Sequence, residues 1–495
     1  MLLLMINGEP SCFNEAKGSA KWTLACKDEI DSINKNKTWF LVERTSDMKV
    51  ISLKWIFKLK KNADNRINKY KARLVAKGYV QESGINFDEV FAPVARIETI
   101  RLLIALAAPH GWEIHHLDSF LAWRAKRRSP RCWNTKLDQI LKGLGFKKCA
   151  KESAVYRKQE GGSLLIIAIY VDDLFVTGNT LKAIDEFKAG MSSKFEMSDL
   201  GKLTYYLGIE VNQGEDGIEI KQEGYARRII KEAGLDDCNP TQIPMKFGLK
   251  VSKALEETEI VPKNYRRNVG CLRYLLHTRP DLAFSVGVSS RYMQSPRKSH
   301  GDLMKHILRY LKGSYAYGLK YGRGSKTLTG FSDSSHNIDQ DDGRSTTGHM
   351  FYFGTSPITW CSQKQDMVSL SSCEAEFMAA TEAERQAIWL QELLGEITRE
   401  EVKQVTIKID NISAIALTKN PVFHGKSKHI HKRYHFIREC IERELVDVEH
   451  VPGTEQKADI LTKALARIKF VEMRSFIGVQ DMSRTKSKLK REIVG

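Results

Sequence analysis

The spacing of apolar and polar residues changes several times along the chain, and each change predicts an element. Trp22, Ala25, Glu29 and Ile33 fall at helical spacing, whereas Trp39 to Val42 and Lys54 to Leu59 carry the aromatic and β-branched residues of short strands. Lys69 to Lys77 interleaves basic residues with Tyr70, Leu74 and Val75, so at strand spacing Lys69, Lys71, Arg73 and Lys77 share one face. That face fits either a solvated edge strand or a surface for phosphates. Ile97 to Ala108 has apolar positions at 97, 100, 103, 104 and 107, the pattern of an amphipathic helix closed by Pro109-His110-Gly111. A strand from Trp112 to Leu117 then runs into Asp118. Arg124 to Arg131, with five basic residues and no acid, reads as a surface loop before a helix around Trp133, Leu137, Ile140 and Leu141.

The sharpest pattern is Ser163 to Val176, where the apolar run Leu164 to Val171 meets Asp172-Asp173 and resumes as Leu174-Phe175-Val176. This predicts a hairpin with both acids at its tip. Tight hairpin turns favour Gly or Asn at positive φ, and no Gly appears until Gly178, so turn chemistry alone does not explain the acids and metal binding is preferred. Tyr205 to Val211 and Gly217 to Ile220 predict another hairpin. Prolines at 240, 244 and 262 mark a connection and a first domain boundary, residues 264–321 read as helices, and Gly322 to Lys326 is a second linker. Beyond it an α/β pattern predicts strands near 328–333, 347–353, 357–361 and 405–410, with helices at 373–395, 411–418 and 431–443. The tail after Arg467 is basic and is expected to fray.

A length of 495 residues suggests about three domains at roughly 150 residues each. The net charge of +18 makes nucleic acid the first partner to consider. Nine scattered cysteines without a CxxC pair fit reduced thiols rather than a disulfide scaffold or zinc ribbon. The longest apolar run falls far short of the roughly 18 residues that span a bilayer, and Asn7 to Pro10 interrupts any signal-peptide core. A soluble intracellular protein is expected, with cytoplasmic particles and the nucleus both open.

Several acids stand at element ends beside apolar runs. Asp118, Asp172 and Asp173 do so in the first half, and Asp333, Glu376, Asp410 and Asp459 in the second. Carboxylates converging on two Mg²⁺ ions are the requirement for two-metal phosphoryl transfer. Taken singly each acid fits a solvated surface better; the ordered set favours chemistry. Histidines 424, 429, 431 and 435 lack a cysteine partner and lie among Lys and Arg, so a basic surface is preferred over zinc.

Lys69-Tyr-Lys-Ala-Arg-Leu-Val-Ala-Lys-Gly78, Phe91-Ala-Pro-Val94, Tyr170-Val-Asp-Asp173, Tyr206-Leu-Gly-Ile209 and Thr278-Arg-Pro-Asp281 resemble the reverse transcriptase of copia-type retrotransposons. Gln363-Lys364-Gln365, Ser371-Ser-Cys-Glu-Ala-Glu-Phe377, Asn420-Pro-Val-Phe-His424, Lys428-His-Ile430 and Ala458-Asp-Ile-Leu-Thr-Lys463 resemble the ribonuclease H domain that follows it. The resemblance implies an α/β multidomain chain: right-hand polymerase fingers and palm over 1–240, a helical thumb or connection over 241–322, an RNase H-like domain over 323–466 and a basic tail over 467–495. It further implies RNA-directed DNA synthesis and cleavage of the RNA strand of RNA–DNA hybrids, with two Mg²⁺ per active site. RNA template, DNA primer, hybrid and dNTPs are the implied partners. Asp118, Asp172 and Asp173 match the catalytic palm aspartates, and Lys71 and Arg73 a fingers segment facing the incoming triphosphate. Leu207 and Gly208 match the grip on the primer strand, and Asp333, Glu376, Asp410 and Asp459 the four acids of the nuclease.

Two departures matter. Between Leu121 and Pro130 a few dozen family residues are missing, including a palm helix that positions template and nucleotide. Since near-attack positioning supplies much of catalysis, a weak or dead polymerase is expected. An uncovered palm sheet would also expose apolar surface and threaten folding of the first half. Thr454 stands where cellular enzymes carry a histidine, a difference usual in copia elements. No CCHC knuckle, protease signature or integrase precedes these segments, so a truncated element is expected. The alternative function is an inert nucleic-acid-binding remnant.

Overall fold

The computed structural model describes residues 9–35, 43, 50, 52–61, 67–77, 92–119, 130–194, 197–322, 324, 326–401, 403–419 and 439–483. The chain is a mixed α/β protein that divides into two compact units, 1–95 with 113–205 and 96–112 with 206–495. This division cuts across the segment expected as fingers and palm.

The first unit begins with α1 (Phe13–Ala16), α2 (Ala20–Lys35), β1 (Leu53–Lys61) and β2 (Ile67–Ala76). β1 and β2 form an antiparallel ribbon, and the predicted helical stripe of α2 packs Trp22, Ala25 and Cys26 against Phe57 and Ala72. α3 (Ile97–His110) belongs to the second unit. The first unit resumes with β3 (Ile114–Ser119), α4 (Pro130–Gly143), β4 (Lys147–Lys148), β5 (Val155–Glu160), β6 (Ser163–Tyr170), β7 (Asp173–Gly178), α5 (Leu181–Ser192) and β8 (Met197–Lys202). Six strands pair in the order β4-β5-β6-β7-β3-β8, all antiparallel. One face carries Leu117, Leu165, Ile167, Ile169, Leu174 and Val176, packed with Leu137 and Leu141 of α4 and Ile184, Phe187 and Met191 of α5. The sheet is therefore not left bare, contrary to expectation: two amphipathic helices bury its apolar side.

β9 (Tyr205–Tyr206) straddles the division. In the second unit follow β10 (Ile209–Gly214), β11 (Gly217–Lys221), α6 (Glu223–Glu232), α7 (Pro262–Leu275), α8 (Ala283–Ser290), α9 (Lys298–Gly313) and β12 (Tyr317–Tyr321). Residues 317–321, expected as helix, are a strand paired with β11, because alternating Tyr317, Leu319 and Tyr321 suit a pleated surface. The remainder comprises β13 (Leu328–Ser335), β14 (Thr346–Phe353), β15 (Ser356–Lys364), α10 (Ser372–Thr398), β16 (Val405–Ile409), α11 (Ile412–Lys419), β17 (Val446–His450), α12 (Asp459–Thr462), α13 (Arg467–Phe476) and β18 (Val479–Asp481). A sheet ordered β15-β14-β13-β16-β17 pairs β13 to β15 as an antiparallel meander and adds β16 and β17 parallel to β13, the topology of an RNase H-like domain.

The stretch after Arg467 is ordered rather than frayed through residue 483. α13 buries Phe470 and Met473, and β18 pairs antiparallel with β12. No helix among the described residues is long and apolar enough to cross a membrane. The strand expected at Trp39 to Val42 and the Arg124 to Arg128 stretch lie outside the described residues. So do Phe91, the crowded histidines 424, 429, 431 and 435, and the motifs at 420–424 and 428–430.

Candidate active sites

In the first unit the predicted hairpin forms with Val171 and Asp172 at its two-residue tip, since Tyr170 pairs with Asp173. Val171 takes φ 57°, a left-handed conformation that is strained for a β-branched residue. Only glycine-like turns match the strand twist here, so the chain accepts strain to place two acids at the end of two buried strands. Asp118 stands directly across the ladder from Asp173. The three aspartates are thus brought to one end of one sheet, and cations engage them. Arg73 reaches Asp172 at 2.6 Å, Lys71 lies 3.9 Å from Asp118, and His116 Nε2 is 2.9 Å from Asp173 Oδ1. His116 was given no role in the sequence, although its place two residues before Asp118 on a strand puts both on one face.

In the second unit Leu207 and Gly208 both take positive φ, 49° and 76°, at the break before β10. Tyr274 Oη donates to the Leu207 carbonyl, and a Cβ at residue 208 would lie 2.9 Å from that hydroxyl. Glycine is required there by both conformation and space.

The sheet of β13 to β17 supplies the second constellation. Asp333 sits inside β13, Asp410 follows β16, and Asp459 opens α12. One carboxylate oxygen of each lies within 4.8 Å of the others, and among the described residues this is the only such group of metal-ligand type. Glu376 joins from α10, whose start is fixed by Ser371 Oγ accepting from Glu374 N at 3.1 Å. Glu376 Oε1 accepts from Ser334 N at 2.9 Å, and its Oε2 is buried without a hydrogen-bond partner.

Burial pushes the Glu376 carboxyl well above its ordinary range, and the adjoining Asp333 adds to the effect. Burial likewise raises Asp410, and it raises Asp459 to about 6, again with help from Asp333. Carboxyls that resist ionisation because they are buried, and because they repel one another, form a cluster that a hard divalent cation stabilises. The oxygen-only donor set and the orphan Glu376 oxygen both fit Mg²⁺.

Two further residues went unassigned in the sequence although their motif was recognised. Thr462 Oγ1 donates to Asp333 Oδ2. Lys463 Nζ lies 2.7 Å from Asp459 and 3.8 Å from Asp333. Burial alone would lower the Lys463 ammonium, but Asp333 and Asp459 outweigh it and hold it above its usual value. Their positions three and four residues after Asp459 were the available signal, although the helix ends at Thr462 and Lys463 is extended.

Comparison with known proteins places this geometry in context. The profile of the family described as "Reverse transcriptase (RNA-dependent DNA polymerase)" matches residues 36–126 and 122–247, two stretches that meet where the palm segment was expected to be missing. The retrovirus-related Pol polyprotein from transposon TNT 1-94 of Nicotiana tabacum is 34% identical, covering 92% of this chain and 37% of its own length. This chain thus spans about a third of that relative. The alignment extends over 498 residues, more than the 495 of this chain, so it opens gaps here. A transposon Ty5-1 protein of Saccharomyces cerevisiae is 32% identical over 52% of this chain and 84% of its own. Among solved structures, a foamy viral protease-reverse transcriptase in complex with dsDNA matches with a TM-score of 0.47 at 13% identity, over 88% of this chain and 84% of that one.

Proposed function

The chain belongs to the reverse transcriptase family of copia-type retrotransposon Pol polyproteins, and on that premise we propose that it is a retroelement enzyme whose nuclease centre is intact and whose polymerase centre is impaired. The carrying observation is the contrast between the two acid sets. Asp333, Asp410 and Asp459 converge within 4.8 Å beside a buried Glu376, whereas Asp118, Asp172 and Asp173 are engaged by Lys71, Arg73 and His116.

At the nuclease centre, Asp333, Glu376, Asp410 and Asp459 would hold the ions. Bound there, Mg²⁺ would supply water activation and leaving-group stabilisation for cleavage of the RNA strand of a hybrid. The protein's own part is to fix the donors: Ser334 N aims Glu376, Thr462 orients Asp333, and Lys463 balances charge beside Asp459. In the polymerase centre, Lys71 and Arg73 would turn from the aspartates to the triphosphate of a dNTP once RNA template and DNA primer are bound. The gap between Leu121 and Pro130 would remove part of the positioning platform, and the family match, which breaks into two parts at this point, supports that reading.

An inert nucleic-acid-binding remnant is the second reading, favoured for the polymerase half by its ion-paired aspartates. A dual-labelled RNA template annealed to a DNA primer, incubated with Mg²⁺ and dNTPs, separates the two. The expected result is shortened RNA, unextended primer, and cleavage lost in Asp410→Asn by at least a hundredfold. Primer extension would refute impairment, and absence of both products would favour the remnant.

A further inference from the structure

The motif Gln363-Lys364-Gln365 and the residues leading into Asp459 have no role in the function described above, yet they meet at β13. Asp333 lies between Ser332 and Ser334, and each neighbour is gripped by a buried glutamine amide. Gln365 Nε2 donates to Ser334 Oγ at 3.2 Å, to Thr347 Oγ1 at 3.1 Å and to Ala375 O at 3.0 Å. Gln456 Nε2 donates to Ser332 O at 2.9 Å, and its Oε1 accepts from Ala458 N at 3.2 Å. Ala375 immediately precedes Glu376, and Ala458 immediately precedes Asp459. Each glutamine therefore spans from a backbone neighbour of Asp333 to the backbone neighbour of a second carboxylate.

We infer that Gln365 and Gln456 are paired positioning residues, setting the Asp333–Glu376 and Asp333–Asp459 separations that a divalent-cation site at this cluster requires. The inference rests on the nuclease reading above. Both side chains are buried, at 6% and 0% exposure, and each is held there by its amide N–H bonds, while the Gln365 Oε1 is buried without a partner. The ladder explains why an amide is needed. β13 pairs with β16 only through Phe331, so the Ser332 carbonyl, one residue beyond, has left the register. Gln456 takes that place and carries the loop into α12. On the other side, α10 approaches β13 with no backbone bonds of its own to offer, and Gln365 joins the helix to two strands at once.

Supporting partners of metal-holding groups typically change metal affinity or activity by about 10–100-fold when removed. The test compares the wild-type chain with Gln365→Met, Gln456→Met and the near-isosteric Gln365→Glu and Gln456→Glu. Gln391→Met is the control, since Gln391 lies on α10 fifteen residues after Glu376 and donates to Lys403 O at 3.3 Å. Mg²⁺ and Mn²⁺ binding is read by calorimetry, independently of cleavage, alongside thermal melting, hybrid Kd and kcat. The expected outcome is metal affinity weakened at least tenfold in the Gln365 and Gln456 variants, with kcat lowered and hybrid Kd unchanged, while Gln391→Met behaves as wild type. Metal affinity within twofold of wild type in folded Met and Glu variants overturns the inference, as does activity that falls only in proportion to the folded fraction. Wild-type protein that binds Mg²⁺ but cuts no hybrid refutes the nuclease reading and leaves the positioning measurement standing.

Discussion

Glu384 shows how one buried residue can govern stability without touching the chemistry. It lies two turns beyond Glu376 on α10, fully buried, and neither carboxylate oxygen has a hydrogen-bond partner. Burial alone pushes its pKa up to about 8. The folded state therefore keeps the proton through neutrality, whereas the unfolded chain releases it near 4.5. Between those values the folded state binds more protons, so stability falls as pH rises, by about 1.4 kcal/mol per pH unit, and levels off above pH 8. Glu384→Met removes this dependence. In urea titrations its advantage over wild type is expected to grow from small at pH 5 to a few kcal/mol at pH 8. Parallel pH curves for the two proteins would contradict the assignment.

Strain and buried charge act at the level of elements. The β6–β7 tip holds Val171 at φ 57°, which costs on the order of 1 kcal/mol. Val171→Gly should raise the melting free energy by about that amount, measured by denaturant unfolding. In the second unit, Arg279 forms a two-point bond with Asp281 at 2.9 and 2.7 Å, and Tyr310 Oη adds a bond to Asp281 at 2.6 Å. The pair is fully buried, so Asp281→Asn leaves an unmatched guanidinium and is expected to destabilise by roughly 3–5 kcal/mol. The paired acids at 172 and 173 were legible because an unbroken apolar run changed to charge within one residue. β12 was not, because its partners β11 and β18 are remote in sequence. α13 was missed because its basic composition masked a buried stripe, Phe470, Met473 and Ile477, at spacings of three and four. Asp333, Glu376, Asp410 and Asp459 could be read one by one as element ends. Their convergence depends on crossovers that bring β16 beside β13, and local pattern does not encode those. Gln365 was marked only as part of a motif and Gln456 not at all, since the role of each exists only after the sheet has formed.

At the scale of the whole molecule, chain order and spatial order part company at α3. This helix buries Leu102 through Ala108 and belongs with residues 206–495 although it is made between the two segments of the first unit. Arg101 fastens it by donating to Ile358 O at 2.7 Å and His277 O at 2.8 Å, with its guanidinium 3.7 Å from the Trp360 ring centroid. A fragment of residues 206–483 therefore lacks one wall of its own core. Produced alone, it should bind a hydrophobic dye and melt without cooperativity, and a version joined to residues 96–112 should melt sharply. A fragment that melts sharply without the helix would show that α3 is dispensable.

The placement of α3 also sets a schedule. Arg101 and its acceptor at Ile358 are 257 residues apart, which at about 5–20 residues per second of synthesis is a delay of tens of seconds. Throughout that interval an apolar helix has left the ribosome before its partner strand has been translated. The folding of this part of the chain is therefore tied to the pace of translation.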